Sequence, residues 1–320
     1  MATYNSLVSR TDAGPLIPED AAAEIIKEAT EGSAIMRMVP AAQVRRLSRA
    51  QHRIPVLSVL PTAYFVSGDT GLKQTTEQNW KNVYINIEEL AAIVPIPEAV
   101  IADADYDLWG EIRPSIAESI GAAFDAAVLY GTNAPASWPD DLLTQMVAAG
   151  HTVELGSVGT DLYDDLLDET GVLSLIEEDG YMASGHLAAL SMRARLRGLR
   201  DTAGQPLFTT DLREAQRYAL DGEPLDFPRN GAFDPTETLL VSGDWSKIVL
   251  GIRQDLTWKV ITEGVITDAD GAIVYNLPQQ DMAALRVTFR VGWALPNPEN
   301  RINTDDTTRL PFAALVPATS

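Results

Sequence analysis

Cysteine is absent from this 320-residue chain, which excludes disulfides, thiolate metal centres and thiol nucleophiles together. Robustness must then come from packing, self-association or another covalent chemistry. Histidine is almost absent too. His52, His151 and His186 lie far apart, and no His-x-x-x-His pair or Glu-His cluster gives zinc-like spacing. Positive charge is scarce: Lys and Arg number 24 against 45 Asp and Glu, a formal balance of 24 − 45 = −21. So acidic a chain is poorly suited to neutralising phosphates over a broad surface, which argues against sequence-specific DNA binding. No window approaches the ~20 apolar residues of a membrane span. The start, Met1-Ala2-Thr3-Tyr4-Asn5, lacks the basic and apolar regions of a signal peptide, so the expectation is a protein made and folded in cytosol, with no membrane partner.

The familiar chemical motifs are missing as well. There is no Gly-x-x-x-x-Gly-Lys-Ser/Thr loop for nucleotide phosphates and no Gly-x-Ser-x-Gly elbow. Ser184-Gly185-His186 puts a serine beside a histidine, but a triad is a spatial assembly and sequence neighbours do not make one. Asp161, Asp164, Asp165 and Asp168 spread around a helix and read as a solvated face. Asp103, Asp105 and Asp107 read as an acidic helix start that complements the dipole. Thr267-Asp268-Ala269-Asp270-Gly271 has the beginning of a calcium loop without its distal bidentate Glu, so an Asp-Gly hairpin turn is the better account. The expectation is therefore no catalytic residue, no metal and no cofactor.

What is present suits a large folded protein. Hydrophobic residues make up 46% and charged residues 22%, and the length fits one large or two intertwined domains. Residues 1–17 read as an extended arm and Glu19 to Glu31 as a helix stopped by Gly32. A basic patch, Arg45, Arg46, Arg49 and Arg53, then interrupts the acidic chain. The strand Ile54 to Val59 carries Pro55, which suits a sheet edge. A polar tip from Ser67 to Lys73 leads to a return strand around Trp80 and Val83 to Glu88. So long a two-stranded hairpin is barely stable alone in water and needs a surface to lie against, its own chain or a neighbouring subunit.

Ala91 to Pro97 reads as a strand, and Asp105 to Tyr130 as a long helix with Pro114 near its start. Asp161 to Glu178 reads as a helix that Gly171 can interrupt, and Ala188 to Leu199 as another, basic through Arg193, Arg195, Arg197 and Arg200. Turn-rich connections run through Gly204 to Phe208 and Gly222 to Leu225. Strands are expected at Thr238 to Val241, Ile248 to Ile252, Trp258 to Ile261, Ala284 to Trp293 and Pro311 to Val316. Helices and strands mix without regular alternation, so the fold class is α+β.

The run from Ser242 to Arg253, opening Ser242-Gly243-Asp244-Trp245-Ser246, resembles the Gly-Asp-aromatic-Ser motif of tailed-phage major capsid proteins, the Hong Kong 97-type capsid fold. Stretches resembling that family's later strands follow in order: Leu256 to Ile261, Met282 to Trp293 and Pro311 to Leu315. With the arm, long hairpin and long helix, the resemblance spans nearly the whole chain.

It implies a map: an N-terminal arm and helix over 1–43, an extended hairpin loop over 44–92, and a peripheral domain with its spine helix over 93–139. An axial domain over 140–240 and returning strands over 241–320 complete it. The implied function is a self-assembling icosahedral shell of pentamers and hexamers that encloses a double-stranded DNA genome without reading its sequence. On that reading Arg45, Arg46, Arg49, Arg53, Lys73 and Trp80 are intersubunit contacts. The acidic charge would keep packaged DNA from sticking to the wall.

The implied partners are copies of itself, a portal protein, a separate scaffolding protein and, as an optional addition, a decoration protein, with assembly in the host cytoplasm. The separate scaffold is expected because the arm begins almost at Met1. Some members of the family join an extended-loop lysine to a distant asparagine. Lys73, Asn297, Asn300 and Asn303 are the residues in comparable regions, and noncovalent assembly is the expectation here. Two alternatives stand beside the capsid. One is an encapsulin-type nanocompartment shell, whose arm begins with a helix where this chain has an extended segment. The other is an α+β hydrolase, which would need converging catalytic groups.

Overall fold

The computed structural model describes residues 32–66, 73, 75–103, 108–158, 161–200, 218–268 and 270–318. The expected arm, the 19–31 helix, the hairpin tip from Ser67 to Leu72 and the turn from Gly204 to Phe208 lie outside them, as do Asp105 and Asp107. The first described helix is one short turn, α1 (Ala34–Met38), begun by Ser33, whose hydroxyl accepts the Met36 N–H. Strands β1 (Val44–Arg46), β2 (Gln51–Val59), β3 (Asn79–Asn86) and β4 (Glu88–Pro97) follow. Pro55 sits in β2, which pairs with β3 alone, so its missing N–H interrupts no second ladder.

Two helices come next, α2 (Glu98–Asp103) and the long α3 (Leu108–Tyr130). On α3, Ile116, Ile120, Phe124, Ala127 and Val128 recur at helical spacing and are buried. The described helix begins at Leu108, within the range expected, and Pro114 lies inside it rather than at its entry. A proline there has no N–H to donate back along the helix, so one backbone hydrogen bond is lost. Gly131 ends the helix with φ +67°.

Asp141 caps α4 (Leu142–Ala149), and β5 (Thr152–Glu154) follows. The expected helix over 161–178 is two, α5 (Leu162–Leu167) and α6 (Val172–Glu178). Gly171 separates them for a steric reason: a Cβ there would lie 2.9 Å from the carbonyl oxygen of Asp164. The expectation of a helix from Ala188 fails at its start. Gly185–Ala188 is a fully buried strand, β6, and helix α7 begins only at Met192 (Met192–Gly198). So short an apolar run carries no period that separates strand from helix.

Strands β7 (Ala219–Leu220), β8 (Glu223–Asp226), β9 (Leu240–Gly243) and β10 (Val249–Ile261) come next. The two strands expected at Ile248 to Ile252 and Trp258 to Ile261 are one, because polar Arg253-Gln254-Asp255 continues the extended backbone. The ribbon strands β11 (Val265–Thr267) and β12 (Ile273–Asn276), then β13 (Met282–Ala294) and β14 (Phe312–Val316), complete the order. Asp268 and Gly271 form the expected hairpin turn: the Asp268 carboxylate accepts the N–H groups of Asp270 and Ala272, and Gly271 has φ +83°.

The chain divides into two compact units. In the smaller, built around Glu89–Ile120 and Gln254–Arg290, β10, β13 and β4 are neighbours in that order, and β11 and β12 form a separate antiparallel ribbon. Arg290 pairs with Glu89 there at 2.6 Å. In the larger, a mixed sheet runs β5-β14-β9-β6-β8-β7. Its central strands are buried on both faces and read as continuous apolar runs, such as Phe312-Ala313-Ala314-Leu315. Also in the larger unit, β1 runs parallel to the start of β10, Val44 opposite Leu250.

The Gly-Asp-Trp-Ser motif organises this sheet's core. A Cβ on Gly243 would fall 2.1 Å from the Phe312 ring, so only glycine fits. The Asp244 carboxylate caps a tight turn by accepting the N–H and hydroxyl of Ser246. That turn drives Trp245 into the core, fully buried, its indole N–H donating to the Gly185 carbonyl at 3.0 Å and its ring edge-on to Phe312. The motif is thus a packing device.

Candidate intersubunit surface

The long hairpin is held in antiparallel register from Gln51 opposite Asn86 to Val59 opposite Asn79, with one irregularity near its far end. Strand alternation gives it two faces. The inner face, Ile54, Val56, Ile85 and Ile87, packs with Val249, Ala294, Leu47 and Val83 of the same unit. Gly251 and Gly292 permit this approach: a Cβ on Gly292 would lie 2.2 Å from the Asn86 carbonyl.

Polar anchors fix the ribbon further. Trp138 donates its indole N–H to the Asn86 carbonyl, the Asn86 amide donates to the Ser137 carbonyl, and Lys81 pairs with Asp306 at 2.9 Å. Farther out, the Glu299 N–H donates to the Leu57 carbonyl and Arg301 to that of Pro61. Sequence reasoning missed all of these, since none is local.

The outer face has no such cover. Arg53 stands opposite Tyr84, and Leu57 opposite Trp80. Trp80 is 63% exposed, Tyr84 44%, and Phe65, beyond the end of β2, is fully exposed. Arg45 and Arg46 lie on β1, Arg49 in the link to β2, and all four arginines are exposed. Among the described residues, Arg45, Arg49 and Arg53 form no ion pair. Lys73 is exposed, and nothing ties it to the other expected contact residues.

Asn297, Asn300 and Asn303 are occupied elsewhere. Their amides donate to the Arg309 carbonyl, the Asp179 carbonyl and the Asp179 carboxylate, holding the loop before β14. Asp179 also accepts the Leu310 N–H and lies 3.3 Å from the buried His151.

The titratable groups elsewhere serve the fold. His186 is fully buried and bonds to Ser242 at 2.8 Å and the Leu220 carbonyl at 3.1 Å, while Ser184 instead accepts the Trp245 N–H. Burial pushes the His186 imidazole down to about 4. Asp125, raised by burial, accepts from Ser33, Ala34, Ile35 and Asn230. Asp165 corrects the reading of a solvated acidic face: it is fully buried, and its carboxylate accepts the N–H groups of Gly156 and Val158.

An open cavity of about 490 Å³ is lined in part by Tyr130, Asp141, Asp234 and Glu237. Asp141 caps α4, and the Thr236 hydroxyl and N–H hold the Asp234 carboxyl below its usual range. Burial pushes the Tyr130 phenol up to about 12. Among the described residues no three His, Asp or Glu side chains gather as metal ligands.

The core is built by a packing motif, the buried titratable groups are spent on the fold, and an aromatic, arginine-bearing face is left uncovered. The phage capsid family matches residues 13–300. The chain belongs to that family: it is a structural component of the virion capsid of a tailed phage, not an enzyme, and it assembles with copies of itself.

A relative in Staphylococcus phage 80alpha, described as a major capsid protein, is 26% identical over 298 residues, covering 92% of this chain and 82% of that protein. A solved chain from Microbacterium phage Oxtober96 superimposes with a TM-score of 0.77 at 34% identity, covering 98% of this chain and all of that one. One from Mycobacterium phage Adephagia gives 0.77 at 28% identity, covering 98% and 99%. The encapsulin and hydrolase alternatives are not favoured.

Proposed function

We propose that this chain forms pentamers and hexamers of a closed icosahedral shell around double-stranded DNA, and that its long hairpin lies across a neighbouring copy. The observation that carries this reading is the two-faced hairpin, with an inner face packed on its own unit and an outer face exposing Trp80 and Tyr84, while Phe65 stands bare beyond the end of β2. Arg45, Arg46, Arg49, Arg53 and Lys73 complete the contact surface. In a chain of net charge −21, a neighbour's surface is rich in acidic partners for them. Contacts between unlike patches close into rings and then into a shell.

The domain map belongs to the same proposal: arm 1–43, extended loop 44–92, peripheral domain 93–139, axial domain 140–240 and returning strands 241–320. Two units, each of discontinuous stretches, support a two-domain organisation. A closed shell of one subunit type needs its curvature set and one opening for DNA. Those roles fit a separate scaffolding protein and a portal protein, with a decoration protein as an optional outer layer. Assembly takes place in the host cytoplasm.

Electron microscopy of the purified chain, expressed with and without neighbouring phage genes, tests the reading. Closed icosahedral particles, or free pentamers and hexamers, are expected. A monomer under every condition overturns it.

A further inference from the structure

The β11–β12 ribbon of the smaller unit leaves Val265, Ile273, Val274 and Tyr275 exposed, at 51%, 63%, 48% and 36%. They sit on both strands of a ribbon whose register shifts between Ile266 and Thr267. A two-stranded ribbon is marginal in water. One that bares so many apolar side chains is a contact surface for a partner, because isolated subunits gain nothing by exposing them. Its turn is acidic, with Asp268 and Asp270 both exposed, and exposed Glu263 precedes β11 at the opposite end.

The partner must then be apolar, aromatic and basic. Such a surface is rare in an acidic protein, yet this chain carries one on its other unit. On the long hairpin's outer face Arg53 stands opposite Tyr84 and Leu57 opposite Trp80, with exposed Arg45 and Arg49 before β2. The two surfaces match in polarity and in sign of charge.

We propose that the acidic turn and apolar side chains of the β11–β12 ribbon of one copy dock on the arginine-bearing aromatic face of the long hairpin of another copy. This deepens the shell reading and rests on it. The patches differ, so the contact is heterologous and repeats from copy to copy until closure stops it. Arginine over tyrosine or tryptophan adds cation–π attraction to the ion pairs. The apolar contact supplies area, while the charges set which hairpin meets which ribbon.

The absence of cysteine makes the test clean. Two single variants, Arg53→Cys and Asp270→Cys, are co-assembled into particles checked by electron microscopy, then treated with a short bis-maleimide. A covalent dimer is expected on denaturing gels from mixed particles and not from particles of either variant alone. Mixed particles that yield no more dimer than the single-variant particles overturn this contact while leaving the shell reading intact. Failure of the unsubstituted chain to form particles overturns both.

A charge exchange gives the second arm. Asp270→Arg, and separately Arg49→Glu with Arg53→Glu, should each abolish particles while leaving the subunit's thermal transition unchanged. The three changes together should restore them. A combined variant no better than its parents sinks the proposal.

Discussion

At the scale of single residues, the positions that matter are those the fold cannot replace. Trp245 is fully buried, edge-on to Phe312, with its N–H committed to Gly185. Trp245→Ala should cost about 3–5 kcal/mol, since it leaves a large cavity and strands a buried carbonyl. Chemical denaturation of the unassembled subunit measures it. His186 makes a second prediction, about pH. Its folded imidazole sits near 4, below the usual 6.5, so the unfolded chain binds the proton first on acidification. Its contribution is complete above pH 6.5 and is lost as pH falls toward 4, on the order of 3 kcal/mol in full. Asp125 acts with the opposite sign, because its raised folded value lets the native state take up a proton first. Melting temperatures between pH 7 and 5 should therefore fall less steeply for His186→Asn than for the unsubstituted chain. Equal slopes would show that His186 is not the group that titrates.

At the scale of elements, the long hairpin separates folding from assembly within one ribbon. The outer-face changes Trp80→Ser and Tyr84→Ser remove side chains that touch little in the subunit, and surface changes of that kind shift stability by about 0.5 kcal/mol or less. The same variants should lose particles altogether in microscopy. Ile85→Ser, on the inner face, should instead destabilise the subunit by several kcal/mol through a buried, unpaired hydroxyl, visible in its melting temperature. The hairpin's existence, its strand positions and the edge proline were legible in the sequence because alternation and turn residues are local signals. So was the Asp268–Gly271 turn. The split of the 161–178 helix was half legible: Gly171 marked the place, but the crowding against Asp164 that requires glycine comes from the fold. The strand at 185–188, the continuity of β10 and the burial of Asp165 were not legible. Each is decided by what lies alongside, and a run of four apolar residues or a lone aspartate carries no record of that. Of the expected contact residues, the arginines drew attention by their oddity in an acidic chain, and what they touch is not a local signal. Phe65 was missed because its neighbours are apolar too, and only the structure shows it bare.

At the scale of the whole molecule, the charge balance decides what a container wall can do with its contents. A net charge of −21 repels duplex DNA beyond the local patches, and a mobile polymer must not stick to the shell it is packed into. The exposed arginines near the hairpin are the exception, and they pose a choice, since they can serve a neighbouring subunit or a phosphate backbone. Salt separates the two. Phosphate binding is strongest at low ionic strength, with affinity falling steeply as salt rises. The unassembled subunit should leave duplex DNA unshifted in gel electrophoresis even at about 0.05 M salt, where such binding is most favoured. A shift that Arg49→Glu with Arg53→Glu abolishes would hand the patch to DNA and take it from the subunit contact. No shift, together with loss of particles in that same variant, would leave the arginines one role: joining one acidic subunit to the next.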